Sequence, residues 1–169
     1  YMYTRIWPDG WLGFSPWHGA IQMSGRHLDA LLAAEHAFDL PALDPVITAH
    51  TKAAFFSLSA GPLPGNHREP GGPLVELDEH SIREAFHGLH ALVRYRNSDR
   101  AHTAAEALIR DVQHLWGRNE DWDEQAIEHT YGLPMVVRPT FVEGVGRAIG
   151  PLVKFHEATR SPEALALAQ

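Results

Sequence analysis

The chain has 169 residues, 44% of them hydrophobic, enough to bury one sizeable core. Its 14 Lys and Arg against 21 Asp and Glu leave a formal net charge of -7. Such a chain gains nothing from counterion release on a phosphate backbone, which argues against nucleic acid as a partner. With no cysteine, disulfide staples, thiolate zinc sites and cysteine nucleophiles are excluded, and no apolar window is long enough to span a membrane.

Residues 1–20 are rich in aromatics, Gly and Pro, and Pro8-Asp9-Gly10 is a turn signal, so the entry reads as a loop gathering Trp7, Trp11, Phe14 and Trp17. A helix is expected from 21 to about 38, stopping before Pro41, and a partner from 45 to 58. Residues 59–77 carry Gly and Pro throughout and read as a long surface loop, of the kind that is usually functional or disordered. Residues 81–116 read as two helices folded back at Asn97-Ser98-Asp99. In the first, Ile82, Ala85, Phe86, Leu89, Leu92 and Val93 fall at the three- and four-residue steps of one helical face. In the second, Ala101, Ala104, Ala105, Leu108, Ile109, Val112 and Leu115 do the same, with Asp99 expected as the N-cap. Residues 117–141 form another long connection, with a helical turn over 124–129, and Val142 opens a third hairpin.

These hairpins echo one another. Gly25-Arg26 with Leu31-Leu32 and Ala37 aligns without a gap to Gly146-Arg147 with Leu152-Val153 and Ala158. With the copy near residue 85, the period is roughly 60 residues, which indicates a helical array. The first helices repeat small residues at packing positions: Gly25 and Ala30, Gly88 and Ala91, Gly146 and Gly150. Glycine inside a helix costs about 1 kcal/mol against alanine, so its repetition points to close backbone approach and to an inner layer of first helices. Short turns would then lie on one face and long loops on the other, beside helix N-termini that favour anions or oxygen-rich ligands. Residues 1–169 are thus expected to form a single all-α domain of about three hairpins. Because Gln169 falls inside the third hairpin's second helix, the chain is read as a fragment.

The hairpin pattern, seen in Gly25-Arg26…Ala30-Leu31, Leu89-His90-Ala91-Leu92…Tyr95 and Leu152…Phe155-His156-Glu157-Ala158…Pro162-Glu163-Ala164-Leu165, resembles that of (α/α)6 toroid enzymes acting on carbohydrates. The stretch Trp17-His18-Gly19-Ala20-Ile21 through Phe38 is similar to the first hairpin of bacterial β-L-arabinofuranosidase-like glycoside hydrolases. The resemblance implies an oligo- or polysaccharide substrate and part of an (α/α) toroid. Six such units would take about 360 residues, so the remaining hairpins of the ring are expected outside this chain. Those hydrolases use a zinc-bound cysteine cluster, and with no cysteine here their mechanism is not carried over.

Glycoside cleavage needs one protonated and one ionised carboxyl flanking a bond. The acidic loop Glu120-Asp121-Trp122-Asp123-Glu124 offers candidates in Asp121, Asp123 and Glu124, beside a tryptophan whose flat face suits a sugar ring; the same acids also suit ordinary helix capping. Glu143 opens the third inner helix, Glu76, Asp78, Glu79 and His80 hold the matching place on the second, and Trp17 and His18 on the first, with Glu143 or Glu79 expected to supply the second reacting carboxyl. Equivalent positions on three repeats converge on one mouth. Trp17, His18, His80, Trp122, Tyr131 and Arg138 would hold the sugar. His129 with Tyr131 could instead move a proton in a polysaccharide lyase or sugar epimerase, and a non-enzymatic helical-repeat binding module is a third reading. No metal or cofactor is expected, since His87 and His90 lack a third ligand.

Overall fold

The computed structural model describes residues 5–7, 9–13, 20–38, 40, 43–69, 71–116 and 121–169. Among them the fold is mostly helical. A two-residue antiparallel ladder, β1 (Arg5–Ile6) with β2 (Leu12–Gly13), precedes α1 (Ala20–Phe38) and α2 (Asp44–Ser57). Then come β3 (Gly65–His67), β4 (Leu74–Asp78), α3 (Glu79–Arg96), α4 (Asp99–Leu115), α5 (Glu124–Tyr131) and β5 (Met135–Val136). A 3-10 turn (Val145–Ala148) leads into α6 (Ile149–Thr159), and α7 (Pro162–Ala168) follows.

The expected apolar stripe of residues 81–116 is the centre of the core. Ile82, Ala85 and Phe86 on α3 and Ala101, Ala105 and Leu108 on α4 are fully buried. Helix α3 packs on α1 along one flank and on α6 along the other, while α2, α4 and α7 back onto α1, α3 and α6 in turn. The α1–α3 crossing is nearly backbone on backbone. A Cβ on Gly25 would lie 1.8 Å from the Glu84 carbonyl oxygen, and one on Gly88 3.2 Å from the Gly25 Cα. No larger residue fits at Gly25, and one at Gly88 would press the two helices apart by a few tenths of an ångström. Gly150 departs from the expectation: it is exposed, with nothing within 4 Å of an added Cβ.

The two long connections are not plain loops. Leu74, Glu76 and Asp78 alternate with Val75 and Leu77, and β4 pairs antiparallel with β3 on one side and parallel with β5 on the other, in the order β3-β4-β5. The β3–β4 pairing shifts register at Asn66 and His67, a bulge beside the Gly and Pro residues that had suggested a loop. Both long connections therefore meet at one sheet, whose middle strand runs straight into α3. The α4 cap also differs from expectation. Ser98 accepts the Ala101 N–H at 3.2 Å, and Asp99 sits one place later, in the first turn, where its charge suits the helix dipole.

Candidate functional site

Four guanidiniums from four segments gather around the first turns of α3. Asp78 ends β4 and caps the helix, accepting the His80 N–H at 3.0 Å; the same oxygen accepts from Arg138 Nη2 at 2.6 Å. Glu79, only 2% exposed, accepts the backbone N–H groups of Arg138 at 2.8 Å and Val145 at 2.9 Å, one on each oxygen. The chain passes so near that a Cβ on Gly144 would lie 2.2 Å from Glu79 Oε1. Glu79 is thus the clasp that folds residues 138–145 onto α3.

One turn further, the wholly buried Glu84 accepts from Arg26 Nη2 of α1 at 2.7 Å and from Arg83 Nε at 2.7 Å on the same oxygen. Its other oxygen, Oε2, is buried with no hydrogen-bond partner among the described residues, as are Arg138 Nε and Arg147 Nε. Burial, then the facing Arg83, Arg26 and Arg138, push the Arg147 guanidinium below its ordinary pKa against the opposing pull of Glu84. His80 is lowered by burial first and by Arg147, with Asp78 opposing and Arg138 and Arg83 adding to the effect. Its imidazole is therefore held toward the neutral form.

The polar face continues along the helices. Asp29 of α1 accepts from Lys154 Nζ of α6 at 2.9 Å and is 3.2 Å from His87 Nδ1 of α3, tying the three front helices together. The hydrogen bond from His87, then Lys154, holds its carboxyl down at about 2 against the cost of burial. Nearby His90 is buried with neither ring nitrogen partnered, and burial pushes it down to about 4.

Of the residues singled out in the sequence, Glu79, His80 and Arg138 come together here. Glu143 joins the same segment; it is exposed, and among the described residues its carboxylate accepts the Thr140 hydroxyl, at 3.3 Å. The acidic loop is committed elsewhere. Asp123 caps α5 through the Ala126 N–H at 2.9 Å, Asp121 accepts the Trp122 N–H at 2.8 Å, and Glu124 is exposed in the first turn of α5. Trp122 is 5% exposed and packs edge-on against Trp116, so its face is turned to the core rather than to a sugar. The Tyr131 hydroxyl donates to Asp111 and accepts from the Leu63 N–H at 3.2 Å, and burial, then Asp111, raise its pKa well above the ordinary phenol range. His129 is exposed on α5. Trp17 and His18 lie outside the described residues.

Glu84, Arg26, Arg83 and Arg147 were not singled out as site residues. A signal for two of them was present, since Arg26 and Arg147 each follow the glycine that aligned the repeats. A cavity of about 910 Å³ between α2 and the α3–α4 turn, lined by Trp11, Lys52, Phe55, Phe56, Arg96 and Arg100, includes none of these residues. No protein-family model, curated protein or solved structure matches the chain.

Proposed function

We propose that this chain is part of an (α/α) toroid in a carbohydrate-active enzyme, and that it contributes to glycoside hydrolysis on the face where α3 and the 3-10 turn begin. The observation that carries the reading is the gathering of Glu79, His80 and Arg138, expected from two stretches far apart in sequence, with Arg26, Arg83, Glu84 and Arg147. The packing of α1, α3 and α6 in a front layer, backed by α2, α4 and α7, is the arrangement such a ring requires. The outward side of α6 supports further hairpins beyond it: Ile149 is 41% exposed, Val153 37%, and neighbouring Val142 75%.

In this reading Glu143 is the accessible carboxyl at the mouth and acts as general acid or base. Asp78 and Glu79 are already bound by backbone and Arg138, so they position the Arg138–Val145 segment and the second reacting carboxyl comes from elements completing the ring. A panel of glycosides of differing sugar and linkage, assayed with the intact protein and Glu143→Gln, tests this. A cleaved glycoside with turnover lowered about a hundredfold or more in the variant supports the assignment; full turnover in the variant removes Glu143 from the chemistry.

One observation favours a second reading. His80 lies beside Arg138 and Arg147, which would hold a sugar carboxylate while the imidazole takes the proton from the neighbouring carbon, the C–O bond to the next sugar breaks and the leaving oxygen takes a proton from water. A lyase of this kind gives an unsaturated, ultraviolet-absorbing product and loses activity on His80→Ala. Tyr131, fixed in the core, takes no part in it.

A further inference from the structure

We infer that the cluster formed by Arg26, Arg83, Arg138 and Arg147 selects a sugar bearing a carboxylate, a uronate, an inference that rests on the carbohydrate reading above. Four guanidiniums face three carboxylates, Asp78, Glu79 and Glu84, so this spot carries an excess of positive charge on a chain whose formal charge is -7. Of the four, Arg147 alone forms no ion pair among the described residues, because the three acids are already engaged. Glu79 gives both oxygens to backbone N–H groups, Glu84 serves Arg26 and Arg83 through a single oxygen, and Asp78 serves Arg138.

Arg147 has no ion-pair partner among the described residues, and its Nε is buried with no acceptor. A partly exposed guanidinium with no ion pair, held among like charges, gains from an anion that arrives to pair with it. The planar fork of a guanidinium matches the two oxygens of a carboxylate, which makes a uronate the fitting anion among sugars. Neutral His80 beside them adds no competing charge.

The test measures binding of galacturonate and glucuronate oligosaccharides to the intact protein by calorimetry, against their methyl esters, the neutral galactose and glucose oligomers, and sulfated oligomers of equal length. The acids are expected to bind at least roughly tenfold more tightly than esters or neutral oligomers, and to weaken as salt rises. Arg147→Gln is expected to lose roughly tenfold in uronate affinity, while Arg110→Gln, on the exposed surface of α4, leaves it unchanged. The ester comparison uses the unaltered protein, so it stands even if the Arg147 variant misfolds. Equal binding of acidic and neutral oligomers overturns the inference while leaving the carbohydrate reading intact. Sulfated oligomers binding as tightly as uronates overturns the selectivity for carboxylate. If no glycan is bound or cleaved, the carbohydrate reading falls with it.

Discussion

Gly25→Ala tests the packing on which the front layer depends. The added methyl would sit 1.8 Å from the Glu84 carbonyl oxygen, where a carbon–oxygen contact needs about 3.3 Å. Helices α1 and α3 must therefore separate locally by roughly 1.5 Å, loosening the contacts around buried Leu28, Ala85 and Phe86. Alanine recovers about 1 kcal/mol of helix propensity, whereas overpacking between two backbones costs about 3 kcal/mol or more, so the clash wins. At about 2–4 °C per kcal/mol for a chain of this size, the net loss of about 2 kcal/mol or more lowers Tm by about 4–8 °C or more. The assay is a thermal melt followed by far-ultraviolet circular dichroism. Gly150→Ala is the control, since nothing lies within 4 Å of its added carbon, and it changes stability by less than about 1 kcal/mol. If Gly25→Ala matched or exceeded the wild-type Tm, the close α1–α3 crossing would be refuted.

Replacing Asp123 separates capping from chemistry: Asp123→Ala costs about 1 kcal/mol of stability, Asp123→Asn costs almost nothing because asparagine caps as well, and a loss of turnover in the asparagine variant would make the carboxylate chemical after all. Tyr131→Phe leaves the buried Leu63 N–H and Asp111 without their shared partner and destabilises by about 1–3 kcal/mol, read by urea denaturation. Acid weakens the fold in two windows. His50 and His90 are held at about 4 in the folded chain by burial, with the paired His27 adding to the effect on His50; the unfolded chain binds their protons first, near 6.5. Stability is therefore full above about pH 6.5 and falls toward pH 4, by on the order of 2 kcal/mol per histidine. Asp29, held at about 2, contributes stability above its unfolded value near 3.8 that is lost as pH falls toward 2, and Asp29→Asn abolishes that second loss, as melts across pH would show.

Much of the helical framework was legible because its signals are local. The three- and four-residue steps from Ile82 to Leu92 mark buried positions, and Gly25 and Gly88 declare a close crossing because glycine inside a helix needs a reason. The sheet was hidden. Strand β5 is two residues long, and its parallel pairing joins Leu77 to Met135 across a separation that no local pattern encodes. The site was half legible for the same reason. Glu79 and His80 stood out by their place at the start of a helix and Arg138 as a guanidinium suited to a sugar carboxylate, but Arg26, Arg83, Glu84 and Arg147 come together only once α1 lies on α3 and the 3-10 turn is clasped by Glu79. The capping role of the acidic loop was not separable in sequence, because a run of acids ahead of a helix looks the same whether it caps or catalyses. Trp122 looked available because sequence does not reveal which way its ring faces.

Hydrogen exchange of the intact protein, with and without a galacturonate oligosaccharide, addresses the location of the site most directly. The reading predicts slowed exchange confined to residues 78–84 and 138–147, the two segments joined by Asp78, Glu79 and Arg138. Protection of residues 121–131 alone, or an unchanged pattern at saturating sugar, would contradict it.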